Sequence, residues 1–383
     1  MGHDKLRKFA ENETFSCLLQ PSAQELLADG YFHLRDHAVK GHWSEFFASL
    51  AEADPSVYGA TGGHGFPGAT AGIATQIATV AEDGPDRDSD YPAIPLEGVQ
   101  GVKVKQPQAG SRTGTVLELG CGKGEYTIAL AERDPERNYI GVDLKGARLW
   151  KGAKYATEHR LPNVAFLRTR VEFITAFFAP GEVSEIWLTF SDPQFRSENS
   201  RLSSPLFLER YRSFMKPGGI IHLKTDSRFL HEYTRTLCEV NGLRILACTT
   251  DLYGTSPREP SGSSPLETSG CAGPHHCASL AVPPLMVPRV AQFPGATAGM
   301  ALPYGDVQPV VREVQTFYEQ LFLQQGYPIT YLSFVIDHDG PYVSPVEAGA
   351  FDTDYWRSVE GPRRLFGHDS AETRRQKLKQ RDE

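Results

Sequence analysis

Glu118, Gly120, Gly122 and Gly124 fall at alternate positions in the run VLELGCGKGE, residues 116–125. The apolar start reads as a buried strand, the glycines as a turn and the remainder as the opening of a helix. Glycines in such a turn let the backbone approach a bound ligand closely. The spacing is G-x-G-x-G, not the G-x-G-x-x-G that seats a pyrophosphate on a helix N-terminus. An acid also stands two residues before the first glycine. An acid suits a cationic or amino-bearing ligand better than a phosphate, and S-adenosylmethionine carries a sulfonium and an amino group. Asp143 closes the next apolar run, where a carboxylate can accept both hydroxyls of a ribose. A plain tight turn and a solvated strand-end acid would explain each feature alone; together they favour a nucleoside cofactor. Ser191-Asp192-Pro193 ends a further apolar run. The proline cannot continue a strand ladder, so Asp192 is held at the rim, unless it is only a turn aspartate capping the next segment.

Seven strands are expected to position these groups: 115–120, 138–143, 164–169, 183–190, 220–226, 243–253 and 329–336. Helices are expected across 124–133, 145–159, 205–215 and, less sharply bounded, near 171–178, 228–240 and 312–325. Alternating strands and helices imply an α/β fold with a doubly wound, mainly parallel sheet. Ligands of such sheets sit beyond the carboxyl ends of the strands. Asp143, Asp192 and Asp226 all fall there.

The formal charge of −8 looks wrong for a nucleic-acid binder, but residues 51–113, 255–307 and 337–383 supply −7 of it. The other 220 residues hold 26 acids and 25 bases, so nucleic acid can bind through local basic surface, not a global field. Residues 51–113 and 255–307 are rich in Gly, Ala, Pro and polar residues, and share the heptapeptide FPGATAG. Both read as low-complexity insertions, the second approaching the substrate entrance and the first not. The expected organisation is an N-terminal segment 1–50, insertion 51–113, core 114–254, insertion 255–307, last helix and strand 308–336, and C-terminal tail 337–383. No secretory h-region and no apolar run of membrane-spanning length is visible, and six scattered cysteines suit a reduced cytoplasm. Cys271, His275, His276 and Cys277 lack zinc-site spacing, so no metal is expected. Nothing in the sequence signals an oligomeric state.

The runs ELGCGKGEY, YIGVDLKGA, NVAFLRT, WLTFSDP, PLFLERYRSFMKPGGIIHLKTDS and the late TFYE resemble the bacterial tRNA (guanine-N7-)-methyltransferase family. The likeness covers most of the 220-residue remainder, in the family's motif order, and leaves out the insertions and tail. It implies a Rossmann-like class I S-adenosylmethionine-dependent methyltransferase whose seven-stranded sheet has an antiparallel last strand. It further implies that the Glu118–Gly124 turn and Asp143 bind the cofactor, and that Asp192 is the active-site carboxylate beside it. Asp226, Thr316, Phe317, Tyr318 and Glu319 match substrate-binding positions, the last four as a T-x-x-E segment. Arg196 stands where the family usually has a substrate-binding lysine. Two departures stand out. The family's tryptophan and basic cluster after Asp-Pro become Gln194 with only Arg196 and Arg201. A cofactor-contacting acid after the third strand becomes Arg170, which cannot accept a hydrogen bond.

Guanine N7 is an acceptor with no proton to lose, so attack on a sulfonium methyl needs placement more than a general base. Asp192 can orient the guanine through its N1–H or amino group and offset the charge the base acquires. The deep major groove of A-form RNA hides N7, so the target is an unpaired base, consistent with the tRNA variable loop that the resemblance implies. Lys145, Arg148, Lys151 and Lys154 recur on one expected helix, and Lys5, Arg7 and Lys8 cluster near the start. Each set reads as a solvated face or as a contact to RNA backbone. Two rival readings stand: methylation of another nucleic-acid base, and a non-catalytic RNA-binding relative.

Overall fold

A computed structural model of the protein describes residues 2–27, 33–52, 112–254 and 308–360. Both copies of FPGATAG, nearly all of the two insertions, the Cys271–Cys277 cluster and the basic stretch 363–381 lie outside the described residues. So does the expected approach of 255–307 to the substrate entrance.

The elements are α1 (Gly2–Asn12), β1 (Leu18–Leu19), α2 (Ala23–Leu26), α3 (Trp43–Glu52), β2 (Thr115–Leu119), α4 (Glu125–Arg133), β3 (Asn138–Asp143), α5 (Gly146–Glu158), β4 (Val164–Arg168), β5 (Val183–Thr189), α6 (Pro205–Arg212), β6 (Met215–Thr225), α7 (Arg228–Val240), β7 (Ile245–Thr249), α8 (Pro309–Glu313), α9 (Phe317–Gln324), β8 (Thr330–Val335) and α10 (Thr353–Glu360). The sheet order is β1-β4-β3-β2-β5-β6-β8-β7, with β8 antiparallel to both neighbours and the other described pairings parallel. This is the expected doubly wound, seven-stranded sheet with an antiparallel last strand. One short strand, β1, extends its edge by pairing Leu18 with Phe166.

All residues of β2 and β8 are buried, as central strands covered on both faces must be. Alternate side chains of β2 feed two cores. Leu117 and Leu119 join Ile186, Leu188 and Phe207 on one side; Val116 joins Tyr139, Phe166 and Trp187 on the other. The helices start where capping chemistry puts them. Ser204 accepts from the Phe207 amide with Pro205 in the first turn of α6, and Ser227 accepts from the Leu230 amide at α7.

Three expectations about elements are corrected. The helix near 171–178 is a 3-10 helix, Val171–Ala176. The helix around 312–325 is two helices, because Thr316 and Glu319 form a reciprocal capping box that starts α9 afresh. The strand across 243–253 is only Ile245–Thr249. Residues 337–360, assigned to the tail, carry α10 and place Phe351 in the core against Phe229 and Tyr233.

Candidate active site at the carboxyl ends of the strands

The turn after β2 is held in a conformation that glycine alone adopts cheaply. Gly120, Gly122 and Gly124 have φ of 77°, 59° and 74°. The Gly120 and Cys121 amides both donate to the Val142 carbonyl, which ties the turn to the end of β3. The three glycines differ in what surrounds them. A methyl group added at Gly120 or Gly122 meets nothing within 4 Å, so the turn faces open space. One added at Gly124 comes within 2.5 Å of the Phe166 ring, which Gly141 and Gly152 also contact closely. Phe166 is therefore the plug over which turn, β3 and α5 close. Gly124→Ala should cost stability, about 2–4 kcal/mol from overpacking and backbone strain. Gly122→Ala should cost about 1–2 kcal/mol from strain alone and should lower cofactor affinity disproportionately. Thermal denaturation beside cofactor titration checks the contrast; equal losses of affinity at equal cost in stability would refute it.

The two acids of the turn point differently. Glu118 is only 4% exposed. Its Oε2 accepts from the Thr127 amide at 2.8 Å and from the Thr127 hydroxyl, and its Oε1 accepts from the Thr189 hydroxyl. Desolvation dominates over these bonds and pushes the carboxyl up to about 7. Asp143 is half-buried, with Oδ2 accepting from the Gly122 amide at 3.0 Å and Oδ1 from the Lys145 amide at 2.7 Å. A carboxylate has about four lone-pair sites, so Asp143 keeps two for a ligand. Arg170 is exposed and turned aside, 3.6 Å from the Glu172 carboxylate and over the Phe173 ring.

Asp192 is exposed just beyond β5, between two residues in the left-handed region, Phe190 at φ 51° and Gln194 at φ 47°. Such backbone costs on the order of 1–3 kcal/mol per residue and persists where the surroundings enforce it. The enforcement is visible. The Phe190 amide donates to the Lys224 carbonyl of β6, and Asp192 Oδ1 accepts from the Gln194 amide. Arg201 Nε donates to the Pro193 carbonyl. Arg201 was expected in the reduced basic cluster after Asp-Pro. It is instead 1% exposed, its guanidinium stacked 4.8 Å and 4.4 Å from the Phe229 and Tyr233 rings. It braces the Asp192 loop from behind. Arg196 is exposed.

Across the rim, Asp226 follows β6 and is half-buried. The T-x-x-E segment splits in two. Phe317 and Tyr318 are half-buried at the start of α9; Glu319 is fully buried and does not face the rim. Its Oε1 lies 2.7 Å from Lys224 Nζ, itself fully buried, and accepts from the Tyr253 hydroxyl at 2.7 Å. Lys224 also donates to the carbonyls of Val311 at 2.7 Å and Val314 at 2.9 Å. Burial pushes the lysine down and the glutamate up, against their mutual attraction. Lys224 thus ties β6 to the chain that carries Thr316. The Phe317 amide in turn donates to Glu125 Oε2 at 3.1 Å, in the first turn after the glycines, and Lys123 Nζ lies 5.9 Å from the Phe317 ring. Phe190 stacks on Phe322 of α9. The glycine turn, the Asp192 loop and the start of α9 therefore share one rim. Lys224, Arg201 and Thr189 were not assigned these supporting roles from sequence. The available signals were a lysine inside the buried run IIHLKT and the capping-box spacing of TFYE.

A family model described as "Putative methyltransferase" matches residues 112–255. A tRNA (guanine-N(7)-)-methyltransferase of Christiangramia forsetii is 35% identical over 335 residues, 87% of this chain and 98% of that protein. One of Bacteroides thetaiotaomicron is 40% identical over 230 residues, 60% of this chain and 71% of that protein. One of Porphyromonas gingivalis is 39% identical over 251 residues, 65% of this chain and 82% of that protein.

Proposed function

We infer the roles of the rim residues from a plain premise: this chain belongs to the tRNA (guanine-N(7)-)-methyltransferase family. It transfers a methyl group from S-adenosylmethionine to N7 of a guanine in tRNA. The guanine we assign is in the variable loop, where an unpaired base can present N7. The observation that carries the placement is the bond from the Phe317 amide to Glu125. It sets the substrate segment against the first helical turn after the glycines.

The residues present fit the cofactor. Open space stands above Gly120 and Gly122, where a side chain would intrude, and Asp143 keeps lone pairs for ribose hydroxyls. When bound, S-adenosylmethionine supplies an electrophilic methyl group on a sulfonium. Glu118 braces the turn through Thr127 and Thr189 and contributes negative charge beneath it. Asp192 accepts from the guanine N1–H or amino group and faces the positive charge that the base gains. Thr316, Phe317, Tyr318, Asp226 and Arg196 line the approach of the RNA; Glu319 serves them from behind as the cap of α9. The Arg170 side chain cannot accept from the adenine amino group, so Glu172 or a backbone carbonyl takes that place.

Among the described residues no helix is long and apolar enough to cross a membrane. We place the enzyme in the cytoplasm, with its tRNA. Incubation with labelled S-adenosylmethionine and an unmodified tRNA transcript, followed by nucleoside mapping, tests the reading. Label in 7-methylguanosine of the variable loop is the expected result; label in another nucleoside, or none, would overturn it.

Glu118 gives a pH prediction. A cation bound over the turn favours the ionised carboxyl, which is only half ionised at about pH 7. Affinity for S-adenosylmethionine should therefore rise from pH 6 to pH 8, and more steeply than affinity for the uncharged-sulfur product S-adenosylhomocysteine. Calorimetric titration of both ligands checks this, and parallel flat profiles would remove Glu118 from the binding electrostatics.

A further inference from the structure

Two basic stripes that lie far apart in sequence occupy one face of the fold. α1 packs across the first turns of α5. Asn12 Nδ2 donates to the Gly146 carbonyl at 2.9 Å, and Trp150 Nε1 donates to Glu11 Oε2 at 2.6 Å. The Phe9 ring fills the space beside Gly146, where an added methyl would come within 2.9 Å of it. This docking gathers cations around one indole ring: the Arg7 guanidinium at 5.2 Å, Lys8 Nζ at 5.3 Å and Lys154 Nζ at 5.9 Å from the Trp150 centroid. Arg168 covers Phe9 at 5.2 Å and donates to the Leu144 carbonyl.

The charge of this face runs against that of the chain. Residues 2–13, 145–160 and Arg168 hold nine bases against four acids, in a protein of net charge −8. Glu11 and Glu158 pair with Arg7 and Lys154, and Glu125 of α4 with Lys151, yet a surplus of cations remains. Cations converging on one ring repel one another, and a polyanion laid across them relieves that repulsion. The position is also specific. Gly146 stands three residues beyond Asp143, so the face begins at the cofactor rim and continues down α5. From Lys145 to Lys154 it runs about 14 Å at the rise of a helix.

We propose that the joint face of α1 and α5 is the docking surface for the phosphate backbone of the tRNA substrate, a proposal that rests on the methyltransferase reading above. The aromatic rings hold the cations in place, and the cations neutralise successive phosphates while the target base reaches Asp192. Phosphate contacts of this kind position a nucleic acid without reading its sequence. Each one adds about 0.7–0.9 to the slope of log affinity against log salt.

The test uses the full chain with Lys8→Ala, Arg148→Ala and Lys154→Ala combined, none of them at the rim. Affinity for an unmodified tRNA transcript is measured between about 50 and 200 mM salt. The expected result is a Kd and a KM for tRNA raised roughly tenfold and a salt slope reduced by about 2–3. Affinity for S-adenosylmethionine and kcat at saturating tRNA should stay unchanged. Arg148→Glu alone, which leaves α1 and Trp150 intact, should repeat part of the loss if the triple variant proves unstable. Lys216→Ala with Arg244→Ala, exposed at the opposite ends of the strands, should change nothing. Unchanged tRNA affinity and slope in natively folded basic-face variants would overturn the proposal. So would an equal loss in the Lys216/Arg244 control. A wild-type chain that fails to methylate tRNA at all is a different result, and would sink the functional reading instead.

Discussion

Asp192→Ala is expected to lower kcat for tRNA methylation by about 10²–10³-fold, the range found when one preorganised electrostatic group is removed. The reason is the charge that methylation creates. Guanine N7 attacks without losing a proton, so the product base is cationic, and a fixed carboxylate beside it favours the transition state over the neutral ground state. The chain has arranged for Asp192 to be fixed. Left-handed Phe190 and Gln194 flank it, and Arg201 grips the Pro193 carbonyl behind it. Its own carboxylate is tethered to the Gln194 amide. Asp192→Asn separates orientation from charge. The amide keeps one oxygen to accept from a guanine donor but loses the negative charge, so it should fall between wild type and alanine. Because Asp192 is exposed, both variants should melt within about 1 °C of wild type, as exposed substitutions generally do. Their affinity for S-adenosylmethionine should change less than kcat. Single-turnover methylation at saturating tRNA is the measurement. Turnover near the wild-type rate in Asp192→Ala would take this residue out of the mechanism.

The parts of this site that were legible in sequence are local. A strand that ends in alternate glycines must turn there, whatever packs around it, and Asp143, Asp192 and Asp226 each end an apolar run. What escaped reading depends on partners far along the chain. The side chain of Glu118 turns inward because Thr127 and Thr189 meet it from two other elements. Arg201 looked like a surface base because nothing nearby in sequence reveals Phe229 and Tyr233 closing over it. Phe351 stands in the stretch EAGAFDTD, without the periodicity that marks a core element, and is buried because α7 presents Phe229 and Tyr233 to it and Trp356 of α10 stacks on it. The segment TFYE carries two signals at once. Its spacing states a capping box, a purely local signal, yet the likeness to a substrate-binding motif directed attention outward. The structure uses Thr316 and Glu319 to cap the helix, buries Glu319 and leaves Thr316, Phe317 and Tyr318 half-buried at its start.

Lys224→Met should be the most destabilising single substitution considered, at about 3–5 kcal/mol, because it leaves Glu319 buried without its partner. It also strips a donor from the Val311 and Val314 carbonyls. For a chain of this size that corresponds to a fall in Tm of roughly 10 °C. The sign of the pH dependence follows from the stranded carboxyl. Burial already raises Glu319 above its ordinary value, and loss of the lysine removes the attraction that holds it down. A raised folded pKa means no penalty at pH below the unfolded value and a growing one as pH climbs toward the folded value. The deficit against wild type should therefore shrink at pH 5 and widen at pH 8. Adding Glu319→Leu removes the unpaired charge and should restore much of the stability, as apolar replacement of buried ion pairs often does. It should not restore function. The double variant still lacks the link from β6 to the chain before α9, and the capping box that starts α9 at Thr316. Its KM for tRNA should stay several-fold above wild type while affinity for S-adenosylmethionine, which we place at the glycine turn and Asp143, recovers with the fold. Recovery of both together would mean that Lys224 and Glu319 only hold the domain up. Recovery of stability alone would place them as the pair that sets Phe317 against the glycine-turn helix, where the RNA has to meet the methyl donor.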